Sequence, residues 1–343
     1  MTVWKTLKIE EMLQEALKNQ NLTGDEDTKI YSDYVVARRS LLEEILPEIK
    51  GKLSSITDHG ANHIANVLNN VHLLLGDSLD KFTGIELYCL CLSVLFHDVG
   101  NLEGREAHQR NIADIYEHVR NKNSSYLHEK SNILKVCAAH CGYSGDGSMD
   151  TLKDVDESYH LHGHKVELRK IAAILRFADE LAEGPQRTSA YMQFKHKYDA
   201  KSEIYHKYAS ITHICIDRGN KRITITYHLP IEDLNGKINP SAEAALKELL
   251  EFTYKRIIKL DQERKYAKYY CDYLSPFSET SVQFNFWFNS QPLDIGLDSI
   301  ILSDKIIPGD RGKNITDINN EYDTTKLLTK IKEKVANMEV DHV

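Results

Sequence analysis

The sequence predicts a mainly α protein: a helical bundle followed by a smaller α+β domain with at least three strands and a long helix. Three observations carry that reading. Up to about residue 192, apolar residues recur at i, i+3, i+4 and i+7 in one segment after another. Ser210–Ile216, Arg222–Leu229 and Ser281–Phe288 instead alternate and are rich in β-branched and aromatic residues. Between the second and third of these, Ser241–Leu274 reads as one long helix.

Residues 1–50 read as N-terminal helices that pack on the core. In Tyr31–Ile49, Val35, Val36, Leu41, Leu42, Ile45 and Leu46 stand at near-helical spacing, and Pro47 marks the expected end. Thr57–Leu75 carries a stripe of Ile64, Val67, Leu68 and Val71, with Asp58 as the expected N-cap. Ile85–Phe96 is apolar nearly all round, as a buried helix would be, and Gly100 follows as a stop signal. Glu106–Arg120 places Ile112, Ile115, Tyr116 and Val119 on one helical face, and Lys130–Cys141 is another short apolar helix. Gly142–Lys165 is rich in Gly, Asp and Ser and reads as a long loop of the binding or lid type. Val166–Ala182 is periodic through Ile171, Ile174, Leu175, Ala178 and Ala182.

The pattern then changes. Asp217-Arg-Gly-Asn-Lys joins the first two strands as a hairpin. Phe284, Phe286 and Phe288 alternate on the third strand and read as one buried sheet face. Asp304–Asp323 reads as a loop and Thr324–Met338 as a last helix. The expected organisation is N-terminal helices over 1–50, a helical domain over 51–192 and an α+β domain over 193–343.

Composition narrows the partners. The chain has 343 residues, 43 Lys+Arg against 51 Asp+Glu, and a formal charge of −8. Its 41% hydrophobic content excludes a chain disordered throughout. Mean hydropathy is −0.44. No run of about 18 apolar residues occurs, so no membrane partner is expected. The first residues are charged and unlike a signal peptide, so a cytoplasmic location is expected. The net acidity disfavours nucleic acid as a partner. The 6 cysteines are too sparse for a disulfide framework and read as reduced thiols. Cys137 and Cys141 flank His140 but lack the Cys-x-x-Cys spacing and second pair of a zinc knuckle.

The helical half holds an unusual set of His and Asp residues. His63 shares a helix face with Val67 and Val71, so its imidazole points to the core. His97 and Asp98 end the buried helix, His108 opens the next, and His140 lies near the end of the one after. Asp179 shares a face with Ile171 and Leu175. A carboxylate facing a core is costly unless it is paired or binds metal. Imidazole plus carboxylate, without thiolate, suits Fe, Mn, Zn or similar divalent metals. Taken singly these residues have plainer readings, since a lone core-facing His is more often a satisfied buried histidine and Asp179 could pair with Arg176 or Arg187.

The ordered set His63-Ile-Ala-Asn-Val67, Phe96-His97-Asp98-Val-Gly100 and Leu175-Arg-Phe-Ala-Asp179-Glu-Leu resembles the HD-domain metal-dependent phosphohydrolases. The resemblance runs from about Asp58 to Arg187, and the stretch from His162-Gly163 onward is most similar to the HD-CE branch. It implies an HD-type helical bundle with His63, His97, Asp98 and Asp179 as ligands of one metal. Members with two metals add two histidines, and His108 and His140 stand in those places, with Asp98 then bridging; His128 competes with His108. Several such members carry adjacent histidines where this chain has His140-Cys141, and some branches place lysine where it has Asn101. The implied cofactor is a divalent metal (Mn, Fe, Mg, Co or Zn) as one or two ions.

What the resemblance implies chemically is hydrolysis of a phosphoester by a water that the metal activates. Asp98 is expected to orient that water as well as to bind metal. Arg105 is expected to neutralise the phosphate, with Arg176, Arg187 and His59 as further substrate contacts, because guanidinium pairs with phosphate in bidentate fashion. The run His160-Leu-His162-Gly-His164 would place its imidazoles on one side of an extended chain. The expected partner is a phosphorylated small molecule, nucleotide or nucleotide-like, and a homo-oligomer is left open. Two other readings stand beside this one: a nuclease, which needs a basic track to the metals, and a catalytically silent metal-containing ligand sensor or adaptor.

Overall fold

The computed structural model describes residues 4–20, 22–52, 56–120, 126–195, 198–199, 201–231, 240–305 and 314–340. The chain divides into two compact units, Met1–Ala182 with Tyr266–Ser275, and Glu183–Lys265 with Pro276–Val343. The architecture is mainly α with an α+β portion, as the periodicities predict.

The first unit is helical: α1 (Lys8–Asn19), α2 (Glu26–Ser40), α3 (Leu46–Lys52), α4 (Ala61–Leu75), α5 (Gly84–Phe96), α6 (Ala113–Val119), α7 (Leu127–Ala138) and α8 (Leu168–Glu180). Its axis is α5, where every residue but Glu86 is buried. Thr83 starts it with a capping box: its hydroxyl accepts from the Glu86 amide while the Glu86 carboxylate accepts from the Thr83 amide. Around it pack α1, α2, α4, α7 and α8. Their buried stripes include Leu13 and Leu17, Val67 and Val71, Ile133 and Val136, and Ile171 and Ile174. Each such side chain contributes about 1.5–3 kcal/mol on leaving water. By length and composition Gly84–Glu103 could cross a membrane, but 89% of its most apolar window is buried inside the protein.

Local departures from the sequence reading have identifiable causes. The helix expected to stop at Pro47 continues, because a π turn over Leu41–Ile45 shifts the hydrogen-bond register just before it and Pro47 falls in the opening turn of α3. Helix α4 starts at Ala61 after Gly60, and Asp58 accepts from the Gly60 amide instead of capping the helix. The helix expected over Glu106–Arg120 is confined to α6 at Ala113–Val119. Gly104 at φ 120° and Ala107 at φ 55° turn the chain beforehand, and that turn, not a helix, carries His108. Gly142–Lys165 is not one loop: it holds a 3₁₀ turn (Leu152–Asp154) and a hairpin of β1 (Tyr159–Leu161) with β2 (His164–Val166). His162 and Gly163 form its turn at φ 49° and 76°. His160, His162 and His164 therefore do not line one extended strand.

The second unit contains α9 (Ala190–Phe194), α10 (Glu203–Ile211), β3 (Thr212–Asp217), β4 (Arg222–Ile231), most of α11 (Pro240–Tyr270), β5 (Glu279–Phe288), β6 (Gln291–Leu293), β7 (Ile300–Ser303), α12 (Ile315–Ile318) and α13 (Thr324–Val340). Strand order is β3-β4-β5-β6, with β7 also on β5. β3 and β4 form the expected hairpin, although its first strand begins only at Thr212 because α10 runs to Ile211. β4 and β5 pair in parallel from Arg222↔Glu279 to Ile231↔Phe288, which requires a crossover, and α11 lies in that connection. Phe284, Phe286 and Phe288 are buried on one face, as their alternation predicts. Within the expected loop Asp304–Asp323, the described residues form α12 and a 3₁₀ turn at Asn320–Tyr322, while 306–313 lie outside them.

One contact in the first unit positions the residues that follow. A Cβ on Gly100 would stand 1.9 Å from the His108 carbonyl oxygen, so only glycine lets the two segments meet. Gly100→Ala should therefore cost about 1–3 kcal/mol through displaced backbone. Thermal melting checks this, and an unchanged midpoint would show that the close approach is not a constraint.

Candidate metal centre

The site is assembled from helix ends and helix faces. Because α5 is buried on all sides, its C-terminus delivers His97 and Asp98 into the interior, where both are buried. His63 reaches the same place from the core face of α4 and Asp179 from that of α8. Asp98 Oδ2 lies 3.4 Å from His63 Nε2 and 3.3 Å from His97 Nε2. Asp179 Oδ1 lies 3.1 and 3.5 Å from the same two nitrogens, which are 3.3 Å apart. The four donor atoms all fall within 4.8 Å of one another.

The other oxygen of Asp98 faces a second group. Its Oδ1 is 3.2 Å from His108 Nε2 and 3.6 Å from His140 Nε2. His108 arrives on the turn held against Gly100, and His140 stands just past the end of α7. Cys141 joins them: one donor atom each from His108, His140 and Cys141 also lie within 4.8 Å of one another. A single carboxylate is thus shared between two donor sets, one on each oxygen.

Backbone carbonyls set the histidine tautomers. His97 Nδ1 donates to the Val94 carbonyl at 2.8 Å, His108 Nδ1 to the Arg105 carbonyl at 3.1 Å and His140 Nδ1 to the Cys137 carbonyl at 2.5 Å. Each acceptor is three residues upstream. With Nδ1 committed, Nε2 is left to face Asp98, the outer hydrogen bond that orients an imidazole for a metal. His63 differs, since its buried Nδ1 has no hydrogen-bond partner among the described residues. Its ring depends on what Nε2 binds.

The donor set fits a divalent ion. Four N and O ligands at about 2.0–2.1 Å from a tetrahedral ion would stand about 3.3 Å apart, close to the 3.1–3.5 Å of the five edges that involve a histidine nitrogen. Without a metal, hydrogen bonds and charge between these groups hold them together. Burial opposes charge on His97, but Asp98 and hydrogen bonds to Asp179 and Asp98 outweigh it and raise its pKa to about 9. Burial likewise opposes charge on Asp98, yet His97, His59, His108 and His140 hold it well below the usual carboxylate range. Hydrogen bonds from His63 and His97 overcome burial to do the same for Asp179. His108 and His140 are both shifted upward against burial, with Asp98 and Cys141 as their partners. Burial pushes the Cys141 thiol up, but His140 and His108 bring it down to about 6.

The remaining candidates separate. His59 Nδ1 donates to Asp98 Oδ2 at 2.7 Å, and its Nε2 lies 3.4 Å from Nη1 of Arg105, which also donates to Asn101 Oδ1 at 3.3 Å. Arg105 is exposed and adjoins the centre through these two residues. Asn101, which the sequence reading noted only as standing where some branches place lysine, donates to both the backbone and Oδ1 of Asp98. Arg176 is buried: its Nη1 donates to Ala139 O at 3.2 Å and Thr151 Oγ1 at 2.8 Å, and its guanidinium sits over the Tyr266 ring. It braces the turn before His140. Arg187 lies in the second unit, in the 3₁₀ turn Pro185–Arg187. His128 pairs with the Tyr159 hydroxyl at 3.0 Å, and His108 occupies the place beside Asp98.

A family model, HD-CE, matches residues 47–259. No curated protein and no solved structure matches the chain.

A proton balance follows from the shifts. The raised pKa of His97 contributes stability that is full below its unfolded value of about 6.5 and is lost as pH rises through about 9. The depressed pKa values of Asp98 and Asp179 contribute stability present above about 3.9 and lost as pH falls through their folded values. The EDTA-treated protein should therefore melt at lower temperature at pH 9.5 than at pH 6, and adding Mn²⁺ or Zn²⁺ at pH 7 in weak buffer should release protons. A flat melting profile with no proton release would contradict the assigned contacts.

Proposed function

Because the chain belongs to the HD-CE family, we propose that it is a metal-dependent phosphohydrolase acting on a phosphoester of a nucleotide or nucleotide-like small molecule. The observation that carries this reading is the convergence of His63, His97, Asp98 and Asp179 from separate helices onto one buried point. These four would hold one divalent ion, and His108 and His140, on the other oxygen of Asp98, would help to hold a second. Such ions polarise a phosphoryl oxygen and make water acidic enough to attack near neutral pH.

The chain's own residues supply positioning and charge. His59 and Asn101 fix the plane of the Asp98 carboxylate from two sides, through Oδ2 and Oδ1. Asp98 so held can accept a hydrogen bond from an attacking water and so orient it. Arg105 presents an exposed guanidinium steadied by His59 and Asn101, suited to a phosphate oxygen by charge and by its fork of donors. The polar edge of the centre is the partly exposed Asp179 carboxylate, 23% accessible, while His63 and His97 are fully enclosed. A small phosphorylated substrate is favoured over a nucleic-acid polymer by the net charge of −8.

Purified protein loaded with Mn²⁺, Fe²⁺, Mg²⁺, Co²⁺ or Zn²⁺ should hydrolyse generic or nucleotide phosphoesters. Asp98→Ala should abolish turnover with the circular dichroism spectrum retained. Arg105→Ala should lower kcat/KM by about 100-fold, the scale of losing one charge-stabilising donor. Metal-bound protein that turns over none of these substrates with any of these ions would sink the reading.

A further inference from the structure

Sequence reasoning counted a centre of imidazoles and carboxylates without thiolate, and the structure adds one. We propose that Cys141 ligates through its sulfur, so that His108, His140, Cys141 and Asp98 Oδ1 form a mixed N/S/O position selective for a borderline ion such as Zn²⁺, Fe²⁺ or Co²⁺. The position beside it, His63, His97, Asp98 Oδ2 and Asp179, has only N and O donors and accepts harder ions such as Mn²⁺. The inference rests on the reading of the cluster as a metal centre and is independent of what substrate is cleaved.

Three observations carry it. First, the distances suit a sulfur ligand. Cys141 Sγ is 3.8 Å from His108 Nε2. A tetrahedral ion at about 2.3 Å from sulfur and about 2.0–2.1 Å from nitrogen would place these two atoms about 3.6 Å apart. Asp98 Oδ1 lies 3.2 and 3.6 Å from the two histidine nitrogens, on the same side of the cluster. Second, the turn bearing His140 and Cys141 is braced. The Ala139 carbonyl accepts from both Thr151 Oγ1 at 2.7 Å and Arg176 Nη1 at 3.2 Å, and Thr151 Oγ1 itself accepts from Arg176 Nη1. Side chains held by a second layer of buried hydrogen bonds are placed for a ligand in advance. Third, the neighbouring thiol is committed elsewhere. Cys137 is fully buried and directs its sulfur to the Ser93 carbonyl at 3.5 Å, leaving Cys141 as the cysteine grouped with the two histidines.

Ligand softness then assigns the ions. Thiolate favours Zn²⁺, Fe²⁺ and Co²⁺ over Mg²⁺ and Mn²⁺, whereas an all-N/O set admits both kinds. Two adjacent positions sharing one carboxylate but differing in one donor would sort metals between them.

The test is a Co²⁺ titration of the full-length, metal-stripped, reduced protein under anaerobic conditions, followed by absorption and by metal analysis. The expected result is a sulfur-to-cobalt charge-transfer band in the near ultraviolet, lost in Cys141→Ser and kept in Cys137→Ser. Cys141→Ser should still bind cobalt at the all-N/O position but should weaken the mixed position by about 100-fold, the scale of perturbing a ligand set. Asp179→Ala should keep the band, and excess Mn²⁺ should displace from wild-type protein only the cobalt at the all-N/O position, leaving the band in place. Cobalt bound without a charge-transfer band, or a band that survives Cys141→Ser, would overturn the sulfur assignment and leave the metal-centre reading standing. No cobalt binding at all would overturn both.

Discussion

The first unit is organised around one buried carboxylate. Asp98 is 3% exposed at the end of a helix that is itself enclosed. An ionised carboxylate in such a place is tolerated only when positive charge and hydrogen bonds surround it. Here His59, His63 and His97 converge on Oδ2 and His108, His140 and Asn101 on Oδ1. Removing the carboxylate would deprive these imidazoles of the one counter-charge they all share. A divalent cation bound there would take the place of protons on those imidazoles. The burial that makes the arrangement costly is what makes it a candidate metal centre.

The rest of the bundle serves to bring those groups to Asp98 from distant parts of the chain. Two kinds of device do this. Apolar stripes on α4 and α8 fix the rotation of each helix about its axis, and with it the direction of His63 and Asp179. Backbone carbonyls then set the imidazoles at helix ends and turns, since His97, His108 and His140 each donate to a carbonyl three residues earlier. The Gly100–His108 approach couples the two devices, because the turn that carries His108 is in contact with the segment that follows Asp98. A second layer of polar groups, with Arg176 and Thr151 at the Ala139 carbonyl, holds the turn of His140 and Cys141.

The basic residues illustrate how similar side chains acquire different work from their surroundings. Arg105 is exposed beside the centre and steadied through two of its neighbours, so its charge is available to an anion. Arg176, equally close to a site residue in sequence, is enclosed by a carbonyl, a hydroxyl and an aromatic ring and acts as a brace. In the second unit Arg264 is fully buried and joins Asp261, Thr280, Asp304 and the Phe277 carbonyl in one network. That network ties α11 to the sheet and needs no ligand to explain it.

By itself, the sequence determined the helical class, the switch to alternating strands, and the principal metal-site candidates. His63 was legible because Val67 and Val71 share its helix face, and Asp179 because Ile171 and Leu175 share its own. His97 and Asp98 were legible because a helix apolar on every side had to deliver its end into the core. Periodicity reports which face of an element is buried, so it could reveal residues on faces. It carries no information about where a turn goes. The path through Gly104 and Ala107 that swings His108 under Asp98, the division of six partners between two carboxylate oxygens, the role of Asn101 and the approach of Cys141 to His108 were decided only by the tertiary structure. These contacts join residues far apart in the chain, and their geometry follows from packing and desolvation rather than from local spacing.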